Sequence, residues 1–233
     1  RYQWCLKFAR LLKKTFPETK IIFGGPQATA VPDTVIKEDA IDIVCCGEGE
    51  EAILELASDL ERTDIKNLWF KKGKEIIKND LRPLIQDLDS LPFPDKTIWV
   101  NIKKSDFKQY LIMVSRGCPH SCSFCFNSTM HELYKGQKLV RFRSVNNVIA
   151  ELKKAKEYFN INWVLPMDDN LTLKIDWFRD FAQQYQKYIS VPYFATTHPL
   201  TVDKERAKLL KDSGCRYVKF GIQSGCETVR INA

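Results

Sequence analysis

With 233 residues, 44% apolar and 28% charged, the chain suits one large or two smaller globular domains, and no apolar run approaches the length of a membrane-spanning helix. The net charge of +7 comes from lysines scattered over many segments, with no arginine-rich block interleaved with aromatics, which points to a solvated surface rather than a nucleic-acid face. Of eight cysteines, Cys118, Cys122 and Cys125 cluster, while Cys5, Cys45, Cys46, Cys215 and Cys226 lie scattered in apolar contexts; this predicts buried thiols and one metal site in a reducing compartment, not a disulfide framework.

Residues 2–16 place Trp4, Cys5, Phe8, Leu11 and Leu12 at helical spacing, and Pro17 ends that helix. A short apolar strand over 20–23 is broken by Gly24-Gly25-Pro26. Residues 31–38 read as a helix with Pro32 in its first turn, and 41–46 as a buried strand. The turn Gly47-Glu48-Gly49-Glu50 then leads into an amphipathic helix over 51–60. Strand, glycine turn and helix, twice over, predict a parallel α/β sheet whose ligand end carries both glycine turns. Residues 67–79 predict a hairpin turning at Gly73, and the proline-punctuated stretch 81–94 a linker.

The second half opens with an apolar strand over 110–114, which runs into SRGCPHSCSFCFN at 115–127. A helix over 144–159 follows, with Ser144 as its N-cap and Val148, Ile149, Leu152, Ala155 and Phe159 on one face. A strand over 162–167 ends in Asp168-Asp169-Asn170, and a helix spans 177–188. The strand over 191–197 ends at His198-Pro199, and the helix over 202–213 is closed by Gly214. The last strand, 216–222, ends in Gln223-Ser224-Gly225. Repeated β/α units of this length predict a parallel, barrel-type sheet whose functional side chains gather at the carboxyl ends of the strands.

Chemistry concentrates in the cysteine loop, where Cys118, Cys122 and Cys125 stand at C-x3-C-x2-C spacing. Three thiolates this close can converge on one metal centre, and a [4Fe–4S] cluster held by three cysteines leaves one iron open to another ligand. Two blander readings stand beside it. One is a structural zinc completed by His120 or His131; the other is a set of unrelated thiols.

Phe124, just before the last cysteine, makes the loop resemble the C-x3-C-x-aromatic-C signature of the radical S-adenosylmethionine (SAM) enzymes. That resemblance implies a [4Fe–4S] cluster on Cys118, Cys122 and Cys125, whose open iron chelates SAM and whose electron cleaves it to a 5′-deoxyadenosyl radical. It implies that Phe124 lies against the adenine, that Asp168 and Asp169 receive the amine, and that Gln223 and Ser224 approach the ribose. Gln223 stands where the family's G-x-E-S-G has Glu; an amide can bond hydroxyls but cannot act as a base. His198 stands where many relatives carry Arg.

GGPQAT at 24–29 and GEGEEA at 47–52 resemble the second half of the cobalamin-binding domain that precedes many radical SAM domains. The resemblance implies that Gly24, Gly25, Gly47 and Gly49 lie near a cobalamin, although the D-x-H-x2-G motif for a cobalt-ligating histidine is missing. The linker element Leu91-Pro92-Phe93-Pro94-Asp95 also resembles that family's, with the boundary near Trp99. The implied fold class is α/β: the C-terminal part of a Rossmann-like cobalamin-binding domain at 1–80, a linker at 81–105, and a partial (β/α)6 radical SAM barrel at 106–233 ending after its fourth strand. The chain is thus expected to be an internal piece of a larger, cytoplasmic, oxygen-sensitive enzyme. Such an enzyme takes a small-molecule substrate and an external electron donor such as flavodoxin or ferredoxin, and it transfers a methyl group or does related C–H chemistry. Alternatives are a radical SAM enzyme whose first domain is only a scaffold, and a non-catalytic metal- or partner-binding module.

Overall fold

The alternation of apolar strands and amphipathic helices folds into two principal sheets, each in its own unit. A computed structural model describes residues 1–100 and 108–231. The expected linker at 81–105 and the expected core at 106–233 each fall partly outside the described residues. One unit comprises Arg1–Ile85 and Thr129–Gln137, the other Gln86–Ser128 and Lys138–Ala233.

In the first unit the order is α1 (Tyr2–Thr15), β1 (Ile22–Phe23), α2 (Pro26–Ala30), α3 (Pro32–Val35), β2 (Ile43–Cys45), α4 (Glu50–Ser58), β3 (Leu68–Lys72) and β4 (Glu75–Lys78). The sheet runs β1-β2-β3-β4. β1 and β2 pair in parallel, but β3 is antiparallel to both β2 and β4, so the expected hairpin extends the sheet as a mixed one. Side chains of β2 alternate: Val44 joins Leu6, Ala9, Val35, Ile36 and Ile41, whereas Ile43 and Cys45 join Ala52, Leu56, Leu68 and Phe70.

Three expectations change here. Gly24-Gly25-Pro26 does not only break the strand: Gly25, at φ 90°, turns the chain and Pro26 opens α2 with its pre-set φ. The helix expected over 31–38 is only the four residues of α3. The face of α1 also differs, since Leu6 and Ala9 are buried while Trp4, Phe8 and Leu11 are exposed. Two apolar stripes share this helix, and spacing alone does not say which turns inward.

The second unit begins with α5 (Thr97–Val100), β5 (Gln109–Ile112) and β6 (Ser115–Arg116), followed by α6 (Phe126–Leu133), which from Thr129 onward belongs to the first unit. Then come β7 (Arg141–Phe142), α7 (Val145–Tyr158), β8 (Trp163–Pro166), α8 (Ile175–Tyr188), β9 (Tyr193–Thr196), α9 (Lys204–Asp212), β10 (Cys215–Lys219) and α10 (Glu227–Ile231). The sheet order is β10-β9-β8-β5 and every pairing in it is parallel, the arrangement expected of a partial barrel. The core joins Tyr110 and Ile112 of β5 to Val148, Ile149 and Leu152 of α7 and to Phe178, Phe181 and Tyr185 of α8. Ser144 caps α7 as its sequence suggests, its Oγ accepting the Asn147 N–H at 3.1 Å. β10 is largely exposed, Tyr217 and Val218 included.

A buried charge pair braces β5. Arg143 Nη1 meets Glu151 Oε2 at 2.5 Å, and the Tyr110 hydroxyl donates to Glu151 Oε1 at 2.8 Å. Such a pair adds little net stability, but removing one partner strands a buried charge at a cost of about 3–5 kcal/mol.

Candidate functional site

The cysteine loop leaves β5 through a short, tightly bonded frame. Val114 accepts the Arg143 N–H at 2.9 Å, and Arg143 Nη1 donates to the Met113 carbonyl at 3.2 Å. Ser115 and Arg116 then pair antiparallel with Phe142 and Arg141. Gly117 follows at φ 82°, and a Cβ there would press into the Leu139 carbonyl. Only glycine satisfies both the left-handed turn and the close approach of the returning chain.

Asp168, at the carboxyl end of β8, reaches back to this frame and is only 4% exposed. Its Oδ1 accepts the Val114 N–H at 3.1 Å, the Ser115 N–H at 2.5 Å and the Ser115 hydroxyl at 2.6 Å. Burial raises its pKa to about 6, against the lowering effect of those hydrogen bonds. Its neighbour Asp169 is exposed and accepts from Asn127 Nδ2 at 3.0 Å. The acidic pair is therefore divided: Asp168 holds the start of the loop, and Asp169 meets the loop's far end.

Cys118, Cys122 and Cys125 are half-buried thiols. Burial pushes the Cys118 thiol up, the His120 backbone N–H opposes it, and Asp169, Cys125 and Cys122 add further upward pressure. Cys125 lies at the start of α6: its N–H donates to the Cys122 carbonyl at 3.0 Å, and its own carbonyl accepts the Ser128 N–H at 3.1 Å. Cys125 Sγ receives the Asn127 N–H at 3.5 Å and Asn127 Nδ2 at 3.7 Å. Among the described residues, no three His, Cys, Asp or Glu side chains are already gathered closely enough to hold a metal ion. The donor chemistry nevertheless fits a thiolate-held cluster: three thiols share one loop, and N–H groups are directed at two of the sulfurs.

The histidines divide as well. His120, inside the loop, stacks on His198 at the carboxyl end of β9, with ring centroids 4.1 Å apart. Burial and the proximity of His120 hold the His198 pKa below its usual value, and His198 Nδ1 accepts the Leu200 N–H at 3.3 Å. His131 belongs to the first unit, whereas the three cysteines belong to the second. Phe124 is 57% exposed. At the end of β10, Gln223 adopts φ 67° and its amide folds back over Gly221. Ser224 Oγ accepts the Cys226 N–H at 3.0 Å.

In the first unit the glycine turns have packing reasons of their own. Gly47, at φ 76°, faces the hydroxyl of buried Tyr134, which occupies the place a Cβ would need. A Cβ on Gly49 would come within 3.2 Å of Cys45 Sγ. Asn67 fixes the same turn: it is 1% exposed, Nδ2 donates to the Glu48 carbonyl at 2.6 Å, and Oδ1 accepts the Arg82 N–H at 2.6 Å. Gly25 has open space where a Cβ would project, and Gly24 meets Cys45 only at ordinary contact distance.

Sequence reasoning missed Ser115, Asn127, Asn67 and Tyr134. Asn127 sits two residues past the last cysteine, where a thiol-capped helix start could have been suspected; the other three carry no local signal because their partners lie far along the chain.

Residues 112–232 match the family model described as the radical SAM superfamily, and residues 1–57 match the B12 binding domain. An uncharacterized methyltransferase of Pyrococcus horikoshii is 32% identical over 93% of this chain and 48% of its own length. A cytidylyl-2-hydroxyethylphosphonate methyltransferase of Streptomyces wedmorensis is 28% identical over 96% of this chain and 47% of its own. The chain thus spans about half the length of these curated relatives. In fold, it is similar to a radical S-adenosylmethionine methyltransferase from Kitasatospora setae solved with tryptophan and a SAM analogue. The TM-score is 0.72 at 16% identity, over 96% of this chain and 45% of that one.

Proposed function

We propose, from the premise that this chain belongs to the radical SAM superfamily, that it carries the cluster- and SAM-binding part of a radical SAM enzyme, with methyl transfer as the reaction class. The observation that carries this reading is the cysteine loop: three half-buried thiols launched from a frame that Gly117, Arg143 and Asp168 hold in place. Cys118, Cys122 and Cys125 are the ligands of a [4Fe–4S] cluster, which when bound leaves one iron for SAM and supplies the electron that cleaves it to a 5′-deoxyadenosyl radical. Asp169, exposed beside the loop, is the acceptor for the SAM amine, and exposed Phe124 gives the adenine an apolar ring. Asp168 acts one step back, by anchoring the loop. Gln223 and Ser224 approach the ribose. His198, stacked on the loop through His120, takes the place where many relatives carry Arg.

The proposed domain organisation keeps a cobalamin-type domain at 1–80, a linker at 81–105 and the radical SAM core at 106–233. Methyl transfer is favoured because the two relatives named above are described as methyltransferases and residues 1–57 match the B12 binding domain. A second reading, in which the first unit is a scaffold, has an observation of its own: Gly47 and Gly49 are already accounted for by Tyr134 and Cys45. The substrate is proposed to be a small molecule and the electron donor an external flavodoxin- or ferredoxin-type protein in a reducing, cytoplasmic setting. Among the described residues no helix is long and apolar enough to cross a membrane.

Anaerobic iron–sulfur reconstitution followed by SAM and dithionite tests the first reading, with 5′-deoxyadenosine as the product measured. Retention of hydroxocobalamin on a desalting column separates cobalamin binding from scaffold. Tightly bound zinc in place of a cluster would overturn the main reading.

A further inference from the structure

Asn127 stands between the two chemical elements of the loop. Its backbone N–H and its Nδ2 both point at Cys125 Sγ, at 3.5 and 3.7 Å, and the same Nδ2 donates to Asp169 Oδ2 at 3.0 Å. A side-chain amide offers two N–H donors on one nitrogen, so a single Asn can serve a sulfur and a carboxylate together. The position is set by local structure. Cys125 precedes the first residue of α6, and Asn127 is the second residue of that helix, so its N–H is among those a helix start leaves free for a cap.

Resting on the radical SAM reading above, we propose that Asn127 is a positioning residue with two tasks. It donates hydrogen bonds to the Cys125 thiolate, and it holds Asp169 in place to receive the cationic amine of SAM. Hydrogen bonds to a ligating sulfur stabilise negative charge there and therefore favour the reduced cluster, which raises its potential. Asp169 acts in the opposite direction, because a carboxylate near the thiols disfavours added negative charge. One oxygen of Asp169 is held by Asn127, and a carboxylate has a second with which to face a cation. Asn127 thereby ties the cluster's electronic environment to the orientation of the SAM-binding acid.

The test uses the full chain, reconstituted anaerobically, with Asn127→Leu, Asn127→Asp and Asp169→Asn beside the wild type. Iron and sulfide content and circular dichroism are measured first. The cluster potential follows from an EPR-monitored titration without SAM, and SAM affinity from equilibrium binding. Both Asn127 variants are expected to move the potential to more negative values, Asn127→Asp further than Asn127→Leu, and to weaken SAM binding several-fold. Asp169→Asn is expected to weaken SAM binding while moving the potential the other way. A residue that merely supports the loop would not produce shifts of opposite sign.

Asn127 variants that keep the cluster at an unshifted potential overturn the proposal. So does loss of the cluster in Asn127→Leu with full retention and an unshifted potential in Asn127→Asp, because shape and not donation would then be what Asn127 supplies. Cluster loss from both variants with native circular dichroism also overturns it, because support of the loop would then account for Asn127 without donation to the sulfur. A wild-type chain that takes up no cluster overturns the underlying reading, and this proposal with it.

Discussion

The glycine turn at 47–49 and the cysteine loop at 115–127 are the two stretches where residue choice departs most from what a generic α/β unit requires, and the structure treats them differently. In the glycine turn the choice is consumed by packing: Tyr134 fills the space over Gly47, Cys45 crowds Gly49, and Asn67 bonds the carbonyl of Glu48. In the cysteine loop packing explains the frame but not the contents. Gly117 is required by the returning chain at Leu139 and Asp168 by the backbone of Val114 and Ser115, whereas none of these contacts calls for three thiols in one loop or for an exposed phenylalanine. An unusual residue that the fold already employs is weak support for a ligand. One whose type the surrounding packing does not require, on a braced loop, is stronger support.

The sharpest way to break this contrast is Cys122→Ala. If the fold does not need the Cys122 thiol and a cluster uses it, the variant retains its circular dichroism and thermal stability but loses the cluster and all 5′-deoxyadenosine formation. Equal loss of structure would put the thiol with the glycines, as a packing residue.

Gly117→Ala tests the frame. A side chain at φ 82° against the Leu139 carbonyl must force the pairing of Ser115 and Arg116 with Phe142 and Arg141 apart, at an expected cost of about 3–4 kcal/mol in denaturant unfolding. Cluster uptake should fall with it.

Asp168 gives a pH signature. Its pKa is about 6 in the folded chain, against roughly 3.9 for a free aspartate, so the unfolded state ionises first as pH rises. Its contribution is fully present below about pH 4 and is lost as pH climbs through about 6, a fall of about 3 kcal/mol for a two-unit shift. Stability measured across that range should drop in the wild type, and Asp168→Asn should remove that part of the slope.

Gly47→Ala carries the smallest of the four effects, about 2 kcal/mol, divided between the left-handed backbone and collision with the Tyr134 hydroxyl. Adding Tyr134→Phe should recover the collision part and leave the backbone part. If the double variant recovers nothing, Tyr134 is not what demands glycine at 47, and a ligand-based reason for that glycine gains weight.

Much of the layout was legible because it rests on local patterns. The cap at Ser144, the hairpin turn at Gly73, the parallel order of the second sheet and the three-cysteine spacing all follow from neighbours within a few residues or from strand–helix alternation. The inward face of α1 was not legible, since two apolar stripes compete on that helix, and neither was the helix opened by Pro26 after an expected break. The acidic turn was legible only as a pair: Asp168 and Asp169 are adjacent and chemically identical, and nothing local tells them apart.

The sequence by itself determined the fold class, the order of the strand ends and the thiol spacing, because periodicity, turn residues and cysteine positions are short-range properties of the chain. Only the tertiary structure decided that Asp168 faces inward to Ser115 while Asp169 faces Asn127, that His120 stacks on His198, and that Tyr134 claims Gly47. Each of these joins residues dozens of positions apart, and a carboxylate, a ring or a glycine acquires its role from the group that packing brings against it.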